Sequence, residues 1–245
     1  MTPITKTRGI AAALLRANID TDVIIPSCEI TSPSPEGFGV KAFYPWRYQD
    51  LDRTENPEFI LNQHPFREAT ILLTGENFGC GSSREMAVWA LAQFGIKVII
   101  APSFGSIFRT NCIRNGLLPA VLNPSGIALL AASISPQRPE ICVDLVNREV
   151  VGADGARYTF EIDDQDQGAL LTGIDAIDQT LVQRDQIDAF VIKDTVERPW
   201  AWQIPELVAV RFGSFSVCRR IGSLYPPFVA MLNGIGLRIV LATGE

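Results

Sequence analysis

Thr70-Ile71-Leu72-Leu73-Thr74-Gly75-Glu76-Asn77-Phe78-Gly79-Cys80-Gly81-Ser82-Ser83-Arg84-Glu85 is the stretch from which the rest of the chain can be read. Its apolar, β-favouring opening reads as a buried strand ended by Gly75. Beyond it, Ala87, Ala90, Leu91 and Phe94 recur at helical spacing, and Gly95 is placed to stop the helix. Two serines and an arginine therefore sit where a glycine loop is expected to turn into a helix. The unpaired N–H groups of a first helical turn, the helix dipole and a bidentate guanidinium at Arg84 together suit an anion. Ser82-x-x-Glu85 also matches a capping box, which accounts for those two residues without any ligand. It leaves the glycines at 75, 79 and 81, the second serine and the arginine unexplained, so the anion site is the stronger reading.

Three well-defined loops are excluded by what this one lacks. A dinucleotide fingerprint needs a glycine where Arg84 stands, a phosphate-binding P-loop needs a Gly-Lys pair, and a hydrolase elbow needs a glycine at Arg84 or Glu85. Elsewhere, a Ser-His-Asp triad would rest on His64, the single histidine, which has no placed partner in the sequence.

With 245 residues, 47% of them apolar, the chain can bury a substantial core. A net charge of −6 argues against a nucleic-acid partner. The five cysteines, Cys28, Cys80, Cys112, Cys142 and Cys218, are scattered and form no Cys-x-x-Cys, so a zinc or iron–sulfur site held by this chain alone is not expected. Free thiols in a reducing cytoplasm are the default. Lys6 and Arg8 before the short apolar run Gly9–Leu15 imitate a secretion signal, but the run is too short and no cleavage pattern follows. No uncharged apolar run of about 18 residues suggests a membrane span.

Asn18-Ile19-Asp20-Thr21-Asp22-Val23-Ile24-Ile25-Pro26 is the second informative stretch. On an extended backbone Asp20 and Asp22 would face the same side and could serve one site. On the residues alone, a turn in which the aspartates bind their own backbone before a strand at Val23–Ile25 is the simpler reading. Residues 27–65 lose all periodicity and read as a long loop, a type often functional or mobile. Further on, Ile96–Ala101 reads as a strand, Pro102-Ser103 as the opening of a helix that Gly116 ends, and Leu117–Leu122 as a strand. This alternation implies parallel strands with right-handed crossovers, which sets residues 75–84 beside residues 102–106 at one sheet edge. Ser125–Ser135 reads as a helix, residues 140–162 as an antiparallel meander, and Gly168–Leu181 and Asp185–Asp194 as helices. The last 39 residues, Leu207–Glu245, hold four arginines and one acid and fit none of these patterns.

Three of these stretches carry a resemblance. Asn18–Pro26 with Asp-Thr-Asp, Gly75–Glu85 with Gly-Ser-Ser-Arg-Glu, and Ile100-Ala101-Pro102-Ser103-Phe104 closing at Asn115-Gly116 resemble the small subunit of 3-isopropylmalate dehydratase, in matching order from about Ile10 to Pro205. That subunit is equivalent to the swivelling fourth domain of aconitase. The resemblance implies an α/β fold, a swivelling β/β/α domain with a parallel βαβαβ core and a small antiparallel portion. It would occupy residues 1–206, with residues 207–245 as a C-terminal extension. It implies a cytoplasmic hydro-lyase of leucine biosynthesis, active as a heterodimer with a large subunit that holds a [4Fe–4S] cluster, on a small dicarboxylic acid. By position, Ser82 resembles the base and Asp22 a second catalytic group, while Ser83, Arg84, Asp20 and Gly81 resemble substrate-binding residues. This chain departs from the family where Met86 follows Arg84-Glu85 in place of the usual histidine, and where residues 27–36 carry no basic side chain. Related hydro-lyases of citramalate, dimethylmalate or homoaconitate, and a non-catalytic anion-binding subunit, are the competing expectations.

Overall fold

The computed structural model describes residues 1–30, 36–82, 84–202, 208–212, 215–219 and 239–241. It divides into two compact units, Met1–Gln179 and Thr180–Glu245. The first is built on a seven-stranded mixed sheet in the order β4-β3-β2-β1-β5-β6-β7. Its strands are β1 (Lys6–Leu14), β2 (Ile71–Thr74), β3 (Val98–Ala101), β4 (Leu118–Val121), β5 (Glu140–Asp144), β6 (Glu149–Val151) and β7 (Arg157–Thr159). The apparent secretion-like run is thus, but for Leu15, the last six residues of β1, the central strand.

β1 pairs in parallel with β2 through its last four residues and antiparallel with β5 through its first five. From β2 to β4 the pairing is parallel, and from β5 to β7 antiparallel. Val121 and Glu161 exchange two backbone hydrogen bonds, of 3.1 and 2.7 Å, so the far end of the sheet returns to meet β4. This is the α/β architecture expected from the alternating strands and helices, with its antiparallel portion.

The helices of this unit are α1 (Thr21–Ile24), α2 (Tyr44–Arg47), α3 (Glu85–Phe94), α4 (Ser106–Arg114), α5 (Pro124–Ser133) and α6 (Asp164–Thr172); α7 (Ala176–Leu181) crosses its boundary. Strand side chains alternate between two cores. Leu72, Ile99 and Ala101 face a cluster with Ala87, Val88 and Leu91 of α3, whereas Ile71, Leu73, Val98 and Ile100 face one with Ile127 and Leu130 of α5. Burial on both faces is why these strands are written as continuous apolar runs.

Several boundaries differ from those expected. Val23–Ile25 is not a strand, because Asp20 caps a single helical turn there. α3 starts at Glu85, three residues beyond the serine expected to cap it, and α4 starts at Ser106, after Gly105 rather than at Pro102. Gly173, at φ 69°, breaks the helix expected over Gly168–Leu181 into α6 and α7. Residues 36–66, the greater part of the long segment after Pro26, are not a loose loop. Phe38, Phe43, Phe59, Leu61 and Phe66 are all buried in the α3-side core, each contributing about 1.5–3 kcal/mol by leaving water. Their spacing follows no helical or strand period, so the packing was invisible in the sequence.

The second unit holds α8 (Arg184–Glu197) and a three-stranded antiparallel sheet, β8 (Val208–Phe212), β9 (Phe215–Arg219) and β10 (Ile239–Leu241), in the order β10-β8-β9. The Asp194 carboxylate accepts from Arg198 Nε at 2.6 Å and from Trp202 Nε1 at 2.9 Å, fastening the end of α8 to the turn that follows it. Most of the expected extension 207–245 lies outside the described residues.

The site side of the sheet depends on one close approach. A Cβ at Gly79 (φ 73°) would lie 2.1 Å from Cγ of buried Phe108. Gly79→Ala is therefore expected to destabilise the fold by about 2–4 kcal/mol, combining left-handed strain with overpacking. A urea titration reads this as a lowered midpoint with unchanged slope, and an unshifted midpoint would refute the constraint.

Candidate active site

Three loops leave the ends of β1, β2 and β3 and continue side by side beyond the sheet. Asn18 N–H donates to Glu76 O (2.9 Å), Gly79 N–H to Ile19 O (2.7 Å) and Thr21 N–H to Cys80 O (3.0 Å). On the other flank Phe78 N–H donates to Ser103 O (3.1 Å) and Gly105 N–H to Phe78 O (2.9 Å). Phe78 anchors the middle loop, fully buried and edge-on to the rings of Phe104 and Phe108. Residues 75–84 and 102–106 are therefore adjacent, as the crossover argument requires.

Each residue of Asp20-Thr21-Asp22 has a separate task. The Asp20 carboxylate accepts from Val23 N–H at 2.8 Å and starts α1. Thr21, buried, donates its hydroxyl to the carbonyl of Ser82 at 2.5 Å. Asp22 forms an ion pair with Arg84, whose Nη1 also reaches Ile25 O at 3.4 Å. Because α1 is helical, Asp20 and Asp22 do not project together, and only Asp22 meets the arginine. Sequence reasoning singled out both aspartates and passed over Thr21, whose placement between them was the available signal.

Ser82 is exposed, Gly81 stands ahead of it at φ 86°, and Ser83 lies outside the described residues. The capping box does not form. Arg84 occupies the N-cap of α3 with no side-chain cap bond, and Glu85 accepts instead from Asn115 Nδ2 at 2.9 Å. In the first turn of α3 Ala87 N–H donates to Arg84 O at 3.2 Å, and the ion pair engages the guanidinium through Nη1, one of the three nitrogens that carry its five N–H donors. A cleft of about 220 Å³ borders the same loop, lined by Gly79, Cys80, Gly81, Gly105, Ile107 and Phe108 among others. Met86, where the family usually has histidine, packs against the α3-side core. His64 is exposed where the chain approaches β2, whereas Ser82 lies where it departs, so the two form no triad.

Comparison with known proteins decides the family. The aconitase C-terminal domain family matches residues 1–125. The 3-isopropylmalate dehydratase small subunit of Cupriavidus necator is 50% identical over 203 residues, covering 82% of this chain and 98% of that one. The chain belongs to the 3-isopropylmalate dehydratase small-subunit family. The corresponding subunit of Dinoroseobacter shibae is 44% identical over 201 residues, covering 82% of this chain and all of its own. The solved structure of 3-isopropylmalate dehydratase from Methanocaldococcus jannaschii matches with a TM-score of 0.56 at 26% identity, over 74% of this chain and 99% of that one.

Aconitase-family relatives are iron–sulfur enzymes, so the fit of a cluster to this chain can be tested on its thiols. Among the described residues no three cysteine, histidine or acidic side chains gather as a ligand set. Cys112 is sealed in the core, and burial pushes its thiol well above the usual range, opposite to what a thiolate ligand needs. Cys28 is exposed and Cys80 half-buried, on different loops. The described residues do not fit a [4Fe–4S] cluster. Also among the described residues, no helix is long and apolar enough to cross a membrane.

Two outcomes follow from this geometry. Asp20→Ala is expected to cost about 1 kcal/mol through loss of the cap, with Asp20→Asn near neutral; equal melting temperatures for both variants would remove the capping role. A thiol-reactive probe on the native chain at pH 8 is expected to label Cys28 and spare Cys112 until denaturant is added, read by peptide mass mapping. Prompt labelling of Cys112 would show that the core is open.

Proposed function

We propose that this chain is the small subunit of a cytoplasmic hydro-lyase that interconverts 2-isopropylmalate and 3-isopropylmalate by dehydration and rehydration in leucine biosynthesis. The observation that carries this is Ser82, exposed on a glycine loop two residues before an arginine held in place by Asp22. The substrate is a dicarboxylate, and a guanidinium with donors to spare can take one carboxylate through two parallel hydrogen bonds. By the family resemblance Gly81 and Ser83 join in binding the substrate, Asp22 holds Arg84 at the site, and Asp20 supports it from the cap of α1.

We assign the [4Fe–4S] cluster of this enzyme class to the large subunit, since among the described residues this chain offers no ligand set for it. The steps that fall to this chain are carboxylate binding and proton transfer at carbon. Ser82, as alkoxide, takes the proton from the carbon beside a carboxylate in dehydration and returns a proton to carbon in rehydration. A serine hydroxyl is a poor base in water. Its alkoxide requires preset positive surroundings, for which Arg84 and the positive end of the α3 dipole are the candidates. The family relationship supports a heteromeric enzyme, since the Cupriavidus and Dinoroseobacter relatives are named as small subunits.

The test is reconstitution with a cluster-bearing large subunit and assay on a panel of 2- and 3-substituted malates. The chain alone is expected to be inactive and the complex to prefer the isopropyl compounds. Ser82→Ala should lower kcat by at least about 100-fold, the range of a lost acid–base group, with KM little changed. Arg84→Lys should lower kcat/KM about 10- to 100-fold by losing two-pronged recognition. Most of the wild-type turnover surviving in Ser82→Ala would remove Ser82 as the base.

A further inference from the structure

We infer that Thr21 is a positioning residue for Ser82, holding the loop backbone on both sides of Gly81 so that the serine hydroxyl meets the substrate at a fixed place. The inference rests on the reading of Ser82 as the base.

The problem Thr21 solves is visible in the loop itself. Ser82 precedes α3, outside any regular element, and Gly81 at φ 86° gives the chain ahead of it wide conformational freedom. Left alone, such a segment would spread the serine oxygen over several ångströms, and a misplacement of about 1 Å at a reacting group costs rate steeply. Thr21 acts on this segment at two points. Its backbone N–H donates to Cys80 O at 3.0 Å and its hydroxyl to Ser82 O at 2.5 Å, so one residue fixes the carbonyl before Gly81 and the carbonyl after it. Thr21 is 1% exposed, which keeps water from competing for the Ser82 carbonyl. The same carbonyl also accepts from Arg84 N–H at 2.8 Å, so the clamp ties the serine to the arginine beyond it. The Thr21 side chain meets backbone, not the reacting group, and so works through Ser82.

The clamp needs a hydroxyl and little else. Serine at position 21 retains it, whereas valine matches the shape of threonine without a donor. In the reconstituted complex, Thr21→Val and Thr21→Ala are expected to lower kcat about 10- to 100-fold with KM within about twofold, and Thr21→Ser to retain most of the turnover. In a Ser82→Ala background, Thr21→Val should add no further loss, because a positioned group that is absent cannot be mispositioned.

A full additional loss in that background would show that Thr21 acts elsewhere and overturn the inference. So would Thr21→Ser falling as far as Thr21→Val, or failure of the hydroxyl-less chains to assemble with the large subunit, which would make Thr21 a folding residue. The two readings can fail separately. Active Ser82→Ala removes the base and the clamp together, whereas inactive Ser82→Ala beside fully active Thr21→Val removes the clamp alone.

Discussion

Everything at the active edge hangs on backbone hydrogen bonds that continue past the end of the sheet. Loops beyond strand ends usually have little to hold them, because their amides turn to water. Here residues 76–80 lie between the chain after β1 and the chain after β3, exchanging bonds with both. The arrangement requires glycine where the layers touch. At Gly105 an added Cβ would come within 2.6 Å of Gly79 O, so the pair 79 and 105 sets how near the second and third loops can lie. A rigid frame of this kind is what a site for charge development needs, since groups already in place do not have to reorganise during the reaction.

On that frame the electrostatic design is economical. Asp22 and Arg84 are partly open to solvent, with side chains 49% and 21% exposed, so their attraction adds little to folding. Its value is orientation, with the guanidinium held from one side. Asp20 is spent on the cap and Thr21 on the Ser82 carbonyl. Three consecutive residues on one helical turn thus organise a loop some sixty positions away. In the proposed mechanism they divide support, alignment and charge between them.

Much of this was legible beforehand, and the losses have physical causes. The strands at Ile71, Val98 and Leu118 announce themselves because burial on both faces demands unbroken apolar runs. The juxtaposition of residues 75–84 with 102–106 followed from chain handedness alone. The short-range inferences had mixed fortunes: Asp20 binds nearby backbone and Gly95 stops α3 as expected, but others failed. Ser82-x-x-Glu85 has the residues of a capping box, yet Asn115, thirty positions away, binds Glu85. Val23–Ile25 has the composition of a strand, but one cap from Asp20 makes it a helical turn. The aromatic residues between positions 38 and 66 form a core layer through contacts without period, which no window on the sequence can detect. Thr21 was missed for a similar reason, because a threonine between two acids draws less notice than the acids.

β1 has one further consequence, for the order in which the chain can be assembled. Its parallel neighbour begins at residue 71, but its antiparallel neighbour begins at residue 140. On the ribosome, the strand that anchors the candidate-site loops therefore waits with one flank of unpaired N–H and C=O groups until more than half the polypeptide has emerged. A bare flank of that kind invites pairing with other nascent chains. Lys6 and Arg8 stand on the part of β1 that β5 later covers, where they meet Asp144 and Glu140. Before β5 arrives, two neighbouring cations repel a second copy of the same strand. Once it arrives, the same charges favour the correct mate.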